Sequence, residues 1–558
     1  MAHILPSRWW PMLAITGLVL VVMVTFGTAV DGDFIGLDDG NNIFLNEQLG
    51  GWSGERVAWA FKDLGSARRY LPLGWLGFSA VFTWAGLAPA GYHAASVGWH
   101  LLATVLLFGV ARNILRLSAD PLRPAWTTGC AALAAAAWAL HPMRTEAVAW
   151  ASGLLYTQAS AFALASVWLW TLRWDFPSKS GWLAAGSCAG LAASLLTYPI
   201  ALGLPVACWL LDFAAAKGKP AASQPASPLA RYHISPGLAG LVLVAGADLA
   251  VNLAARGENA ATFAATATLS DFGLLERVEQ ALYVWGRYLV QLAWPASLSP
   301  AYTDLYSLHP LGRGVGPTIL LTVSLLGLAG WLAWRRRLSL GPVLVYSVMA
   351  LPFLGLLEHP WIAHDRYATL LHPVWLVAGA GWLQGIKSHA ARTGMACAAL
   401  LLIGAEACAA HTLVGVWRNQ ASLHERLEQS LPRNAWAGYY LGTIPASVLF
   451  LEGRFSMISP QLDRAESMAP GWSAADVRKE YAGLIRQHEE FMRQNWPGRT
   501  LAPLAMLHYL HGKSAQGRQD WLTARAHFAA ALRVAGDFAE ARQEMAWCDR
   551  RLAGPAGK

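Results

Sequence analysis

Charge is what this sequence lacks. Asp, Glu, Lys and Arg make up 14% of its 558 residues, against 55% hydrophobic residues and a mean hydropathy of +0.35. So little charge cannot clothe a soluble body of this length, and a soluble protein is excluded. Cysteine is nearly absent as well. Cys130, Cys188, Cys208, Cys397 and Cys408 sit singly in apolar segments, where they behave as small hydrophobes, and Cys548 stands alone near the C-terminus. No C-x-x-C or comparable ligand spacing occurs. Neither a metal site nor a cofactor is therefore expected. Concentrated basic blocks are also missing. The net charge of +8 is scattered through short stretches between apolar runs, which excludes nucleic acid as a partner.

What is present is a series of apolar runs, each near the ~20 residues that a spanning helix needs. They begin at Met12–Val30 and recur to Met395–Val416. The first has no small-residue cleavage site after it and reads as an uncleaved anchor. Basic residues follow alternate runs: Arg112 and Arg116, Arg173 and Lys179, Lys217 to Arg231, Arg335 to Arg337, then Lys387 and Arg392. Placing these in the cytoplasm gives about eleven spans in a bacterial inner membrane, with the N-terminus inside and the C-terminus in the periplasm. The stretch Arg277–Trp294 is amphipathic, with Arg277, Glu279 and Arg287 embedded, and fits this topology only if it lies on or dips into the outer face. The expected architecture is all-α: a polytopic membrane domain over residues 1–416, with a long first outer loop at 31–92, and a helical tail over 417–558. The outer loop is rich in Trp and Leu and suits interface helices at Val57–Leu64 and Leu73–Trp84. The tail alternates small and large residues at helical spacing (Ala524, Phe528, Ala531, then Ala539 and Ala541), as tetratricopeptide-like helix pairs do.

Chemistry concentrates at the outer ends of the runs. Asp38 and Asp39 open the first loop and are followed by Gly40-Asn41-Asn42 and the apolar Ile43-Phe44-Leu45. Adjacent carboxylates at a membrane surface must be solvated, paired or used, and a carboxylate can take a proton from an attacking hydroxyl. Arg68-Arg69-Tyr70 and Tyr92-His93 share that loop. His141-Pro142-Met143-Arg144-Thr145-Glu146 lies between two runs, as does His364-Asp365-Arg366-Tyr367 after Glu358-His359. Ionisable groups at membrane depth are functional candidates with a partner expected. Arg144 and Glu146 can pair with one another, Asp365 can brace Arg366, or the arginines can hold a phosphate through their planar forks. His93 and His100 lie seven residues apart, on one helix face. Acids, arginines and aromatics at one water–lipid boundary suit a phosphorylated lipid as substrate.

The order of these motifs resembles the transmembrane-and-tetratricopeptide-repeat proteins: an acid pair after the first span, Arg-Tyr-x-Pro-Leu, Tyr-His, His-Pro-x-x-Thr-Glu-Ala-Val, Leu-Pro, Asp-Arg-Tyr, then helical repeats. That family is similar in turn to protein O-mannosyltransferases and other GT-C glycosyltransferases. The resemblance implies that Asp38 and Asp39 are the catalytic pair and that the donor is a polyprenyl-phosphate-linked sugar. It further implies a periplasmic protein acceptor recruited by the tail. Arg69, Tyr70, His93, Arg144, Glu146, His364, Arg366 and Tyr367 are then the substrate-binding candidates. Two departures stand out. The family's Gly-Arg/Lys-x-Asp/Glu group is Gly153-Leu154-Leu155-Tyr156 here, and a lysine ahead of Leu-Pro is replaced by Tyr198 before Pro199. A non-catalytic assembly factor and a lipid-linked-sugar transporter are the alternatives. The transporter fits less well, because the polar groups cluster at the ends of spans rather than at the bilayer midplane.

Overall fold

The computed structural model describes residues 9–66, 69–118, 123–217, 235–258, 273–303, 316–335, 339–356 and 363–553. Arg68, Glu358, His359 and most of the stretch between Ala214 and Ser227 lie outside the described residues. The described residues are mostly helical and contain no strand. Among the described residues, five helices are long and apolar enough to cross a membrane: Trp10–Asp31, Pro89–Arg116, Pro236–Gly257, Gly316–Trp334 and His389–Trp417. Shorter apolar helices, among them Leu204–Ala216 and Gly341–Phe353, fill the body between them. Many helices start on proline, as at Pro72, Pro89, Pro124 and Pro503. There the missing N–H costs no hydrogen bond and the fixed φ already suits the first turn.

Close approach of helices rests on small residues and on polar side chains that bond across the contact. A Cβ on Gly190 would meet the backbone of Phe162 and Ser166 at 3.1–3.2 Å, so only glycine allows the helices Ser180–Thr197 and Leu154–Leu172 to pack here. Asn113 donates to Thr171 Oγ1 at 3.1 Å, Ser194 to the Ala159 carbonyl at 2.8 Å, and Trp138 to the Thr369 carbonyl at 2.8 Å. The amphipathic helix Leu274–Ala293 is held along its length. Arg277 and Gln280 near its start donate to the carbonyls of Leu356 and Gly355, while Tyr288 donates to the His364 carbonyl and Leu292 accepts from His141.

The first loop forms helices at Gly54–Lys62 and Pro72–Ala85, close to the expected ones. The tail sits on that same loop. Asp33 N–H donates to the Arg418 carbonyl at 2.8 Å, Gly36 N–H to Gln420 Oε1 at 2.7 Å, and Arg533 to the Leu87 carbonyl at 3.0 Å. Arg56 pairs with Asp520 and bonds Thr523, and His511 meets Glu47 at 3.1 Å. A second line of contacts joins Arg426 to the Leu298 carbonyl at 2.6 Å and Ser430 to Ser299 at 2.7 Å. Loop and tail thus occupy one face. Inside the tail, Gly512 lies against the ring of Phe528, where any Cβ would clash, which is the small-against-large packing that the sequence pattern suggests.

Behind the Arg56–Asp520 contact, His508 and His527 are buried with their Nδ1 atoms 3.2 Å apart, so at least one must be neutral. Burial, the neighbouring His511, and the cations Arg518 and Arg56 push His527 down to about 3, with Asp520 opposing. His508 is lowered by burial, His527, His511 and Arg533. Each histidine regains its ordinary affinity for protons when the tail unfolds. The folded tail is therefore fully favoured above about pH 6.5 and loses stability as pH falls from there toward about 3. Thermal unfolding of the tail should shift to lower temperature between pH 7 and pH 5 in the wild type, and His527→Gln should flatten that slope. An identical slope in the variant rules the histidines out as its source.

Candidate functional site

The two acids of the first loop have opposite fates. Asp39 is fully buried, whereas Asp38 is exposed. Asp39 Oδ2 accepts the Ile35 N–H at 3.0 Å, closing the tight turn of its own loop. Its Oδ1 accepts both the Ser152 N–H at 2.9 Å and the Ser152 hydroxyl at 2.6 Å. The same hydroxyl accepts from Asn42 at 3.2 Å. Asp39 therefore ties the loop to the short turn Ala151–Gly153. Burial raises its carboxyl to about 7 even though three donors favour the ionised form. Asp38 is left facing outward, and its charge is felt by His364.

His364 belongs to a buried ionic cluster drawn from two distant segments. Glu146, at the start of the short helix Thr145–Ala149, accepts the Arg366 backbone N–H at 2.8 Å, pairs with the Arg366 guanidinium, and lies 3.3 Å from His364 Nδ1. Burial alone would raise the Glu146 carboxyl, but Arg366 and His364 hold it below the usual carboxylate range. Asp365 turns the other way. It accepts from the Tyr302 hydroxyl at 2.8 Å, and burial together with Glu146 pushes it up to about 7. The two simple sequence pairings, Arg144 with Glu146 and Asp365 with Arg366, are thus replaced by Glu146 with Arg366 across 220 positions of chain. Arg144 is completely buried, donates to His372 Nδ1 at 3.2 Å, and lies over Trp138. Its Nε and Nη1 have no hydrogen-bond partner among the described residues.

The guanidinium of Arg366 lies over the rings of Trp150, Tyr156 and Tyr367 at 5.1–5.3 Å from their centroids. Tyr156 packs against Tyr198 at 4.4 Å between centroids, and Arg69 lies over Tyr198 at 5.4 Å. Tyr156 and Tyr198 are therefore one aromatic pair, set between Arg366 and Arg69. Asp38, Arg69, Glu146, His364, Arg366 and Tyr367 share this end of the bundle. Asp39 and Arg144 make the contacts described above, and the remaining candidates bond nearby backbone. His93 meets the Asp33 carbonyl at 3.4 Å, and Tyr70 bonds the Phe61 carbonyl and Asn252. His100, behind them, bonds the Ala139 carbonyl between the rings of Phe26 and Trp138.

Sequence reasoning missed Ser152, His372, Tyr302 and Trp150. None carries a local signal, because each acquires its role from a partner far along the chain. Among the described residues no group of three or more His, Cys, Asp or Glu could hold a metal ion. No family model, curated protein or solved structure matches the chain.

The asymmetry of the acid pair sets a stability test. In Asp39→Asn the new amide must point a donor at either Ile35 N–H or Ser152, leaving a buried donor unsatisfied at a cost of ~1–3 kcal/mol. Asp38→Asn disturbs no such bond. Melting of the purified protein should drop for Asp39→Asn and stay at the wild-type value for Asp38→Asn. Equal melting temperatures would remove the structural role assigned to Asp39.

Proposed function

We propose that this protein is a membrane glycosyltransferase that moves a sugar from a polyprenyl-phosphate donor to a hydroxyl of a periplasmic protein. The observation that carries the reading is the split acid pair. One carboxylate anchors the loop, and the other stands exposed beside a buried cluster of arginines, histidine and tyrosines at one end of a helical membrane body. In the reaction an acceptor hydroxyl attacks the anomeric carbon of the donor while Asp38 takes the hydroxyl proton. The bond from that carbon to the phosphate oxygen breaks, and the lipid phosphate leaves with the electron pair. Arg69, next to Tyr198, together with Arg366 and Arg144, offsets the charge that develops there. Positioning and fixed positive charge supply most of the acceleration. The phosphate is a good leaving group already, so the chemistry asks for no cofactor. The aromatic pair Tyr156–Tyr198 takes the place of the family's charged groups, with its hydroxyls as donors to the phosphate in place of a lysine.

The topology that serves this chemistry has about eleven spans, an inner-membrane location and a periplasmic tail built of tetratricopeptide-like repeats. A periplasm-active reporter fused after Leu552 should be active, and one fused within Ala214–Ser227 should be silent. The opposite pattern puts the acid loop in the cytoplasm and ends the proposal of a periplasmic acceptor.

Catalysis is checked by transfer from a polyprenyl-phosphate sugar. Loss of a general base lowers rate by ~10²–10⁴-fold. Asp38→Asn should show a loss of that size at unchanged expression and melting temperature. Wild-type transfer by Asp38→Asn would leave an assembly scaffold as the better reading, a role for which the extensive seating of the tail on the body is suited.

A further inference from the structure

The end of the bundle away from the acid loop carries a group of side chains that the catalytic reading does not use. His93, near the start of the span Pro89–Arg116, meets the acid loop at the Asp33 carbonyl. Arg112 lies about 28 Å further along the same helix, close to the ~30 Å thickness of a bilayer's hydrocarbon core. It therefore stands at the opposite water–lipid boundary, the cytoplasmic one in the proposed topology. Beside it runs the helix Leu154–Leu172. Asn113 donates to Thr171 Oγ1 at 3.1 Å, and Arg116 reaches Asp175 at 3.4 Å. The indole of Trp168 lies on Gly109, its Nε1 2.8 Å from where a Cβ would stand. We propose that this seam seats an anionic glycerophospholipid, with its phosphodiester on Arg112, Arg116 and the Trp168 indole N–H and one acyl chain laid along the helix toward Leu102. The inference rests on the membrane-spanning body and not on the transfer reaction.

Three observations select that occupant. First, Arg112 is the surplus charge of the seam. Arg173 is paired with Asp212, and Arg116 with Asp175. Arg112 is half-buried and makes no hydrogen bond or ion pair among the described residues. A phosphodiester with no ammonium of its own matches such a guanidinium, whereas a zwitterionic headgroup brings a like charge with it. The Arg116–Asp175 pair is open to solvent on both sides and holds Arg116 only weakly. Second, the Trp168 indole can only donate, and its Nε1 has no partner among the described residues. An unpartnered donor at the edge of the hydrocarbon finds its acceptor in a lipid phosphate or ester. Third, Leu102, Val105, Gly109, Arg112 and Arg116 follow one another at helical spacings of three and four, so they form one stripe. Leu102 is exposed, and Val105 and Gly109 are half-buried. The stripe is apolar along the span and cationic at its end, the order of a phospholipid. A free phosphate ion or an acidic peptide would use the arginines and leave the apolar part uncovered.

The test uses the full-length protein in a neutral detergent, loaded with phosphatidylglycerol or with phosphatidylcholine of identical chains. Native mass spectrometry counts the lipids that stay bound. Phosphatidylglycerol should be retained about five- to tenfold better than phosphatidylcholine. Arg112→Gln should erase that preference and Arg112→Lys should keep most of it. Trp168→Phe should weaken both lipids, since both carry the phosphate. Lys179→Gln removes an exposed charge from the same end but outside the seam, and should leave the preference intact. If Lys179→Gln lowers the preference as much as Arg112→Gln, the attraction is general surface charge and the proposal is overturned. It is overturned as well if inorganic phosphate, at equal concentration and ionic strength, displaces the lipid, because the site would then take a free anion. Should Arg112→Gln fail to fold, Arg116→Gln and Trp168→Phe carry the comparison, and unchanged retention in both ends the proposal. Lipid retention needs no sugar transfer, so this inference and the enzyme reading stand or fall separately.

Discussion

The loop, the tail and the ionic cluster at this end of the molecule all depend on one buried carboxylate. Asp39 gives two oxygens to three donors, one from its own loop and two from Ser152, 113 positions further along the chain. A buried acid is expensive, and burial raises its proton affinity to the neutral range. The same burial makes each of its hydrogen bonds strong and leaves little room for alternative geometries. The result is a loop whose path is fixed by its own hydrogen bonds. Its second acid, Asp38, is thereby held in a fixed position without being consumed by a structural role.

The loop is also held from above. The carbonyl of Arg418 and the side chain of Gln420, at the root of the tail, bond to Asp33 and Gly36 on the strand of chain leading to the acid pair. The turn at Ser152 holds its far side. Membrane body and tail are thus coupled through ten residues of loop, and a cavity under the tail shares its wall with the acid pair.

The ionic cluster beneath shows how a low-dielectric site keeps its charge. Glu146 and Arg366 satisfy one another, and the faces of Trp150, Tyr156 and Tyr367 surround the guanidinium. Removing either member would strand the other charge in the interior, which costs far more than the pair itself contributes. Asp365, one residue away, is directed to Tyr302 and carries a different proton affinity. Two carboxylates in one cluster have been driven apart by their surroundings alone, the arrangement that lets one site hold both an ionised and a protonated acid near neutral pH.

The sequence by itself determined the solvent this protein lives in and the position of its chemistry. Scarce charge and apolar runs require an α-helical membrane body, and the break after Val416 announces a helical tail of different character. The clustering of Asp38, Glu146, His364 and Arg366 near the ends of apolar runs already marked them as neighbours of one interface. These features are legible because hydropathy and helical period are local properties. What the sequence could not show is which acid anchors and which stays open, since Asp38 and Asp39 are chemically identical until Ser152 arrives from 113 positions away. Nor could it show that Tyr156 and Tyr198 meet, or that Glu146 chooses Arg366 over the nearer Arg144. Those choices are made by tertiary packing. A buried charge or ring takes the partner that the crossing of helices brings within reach, and distance along the chain does not enter that energy.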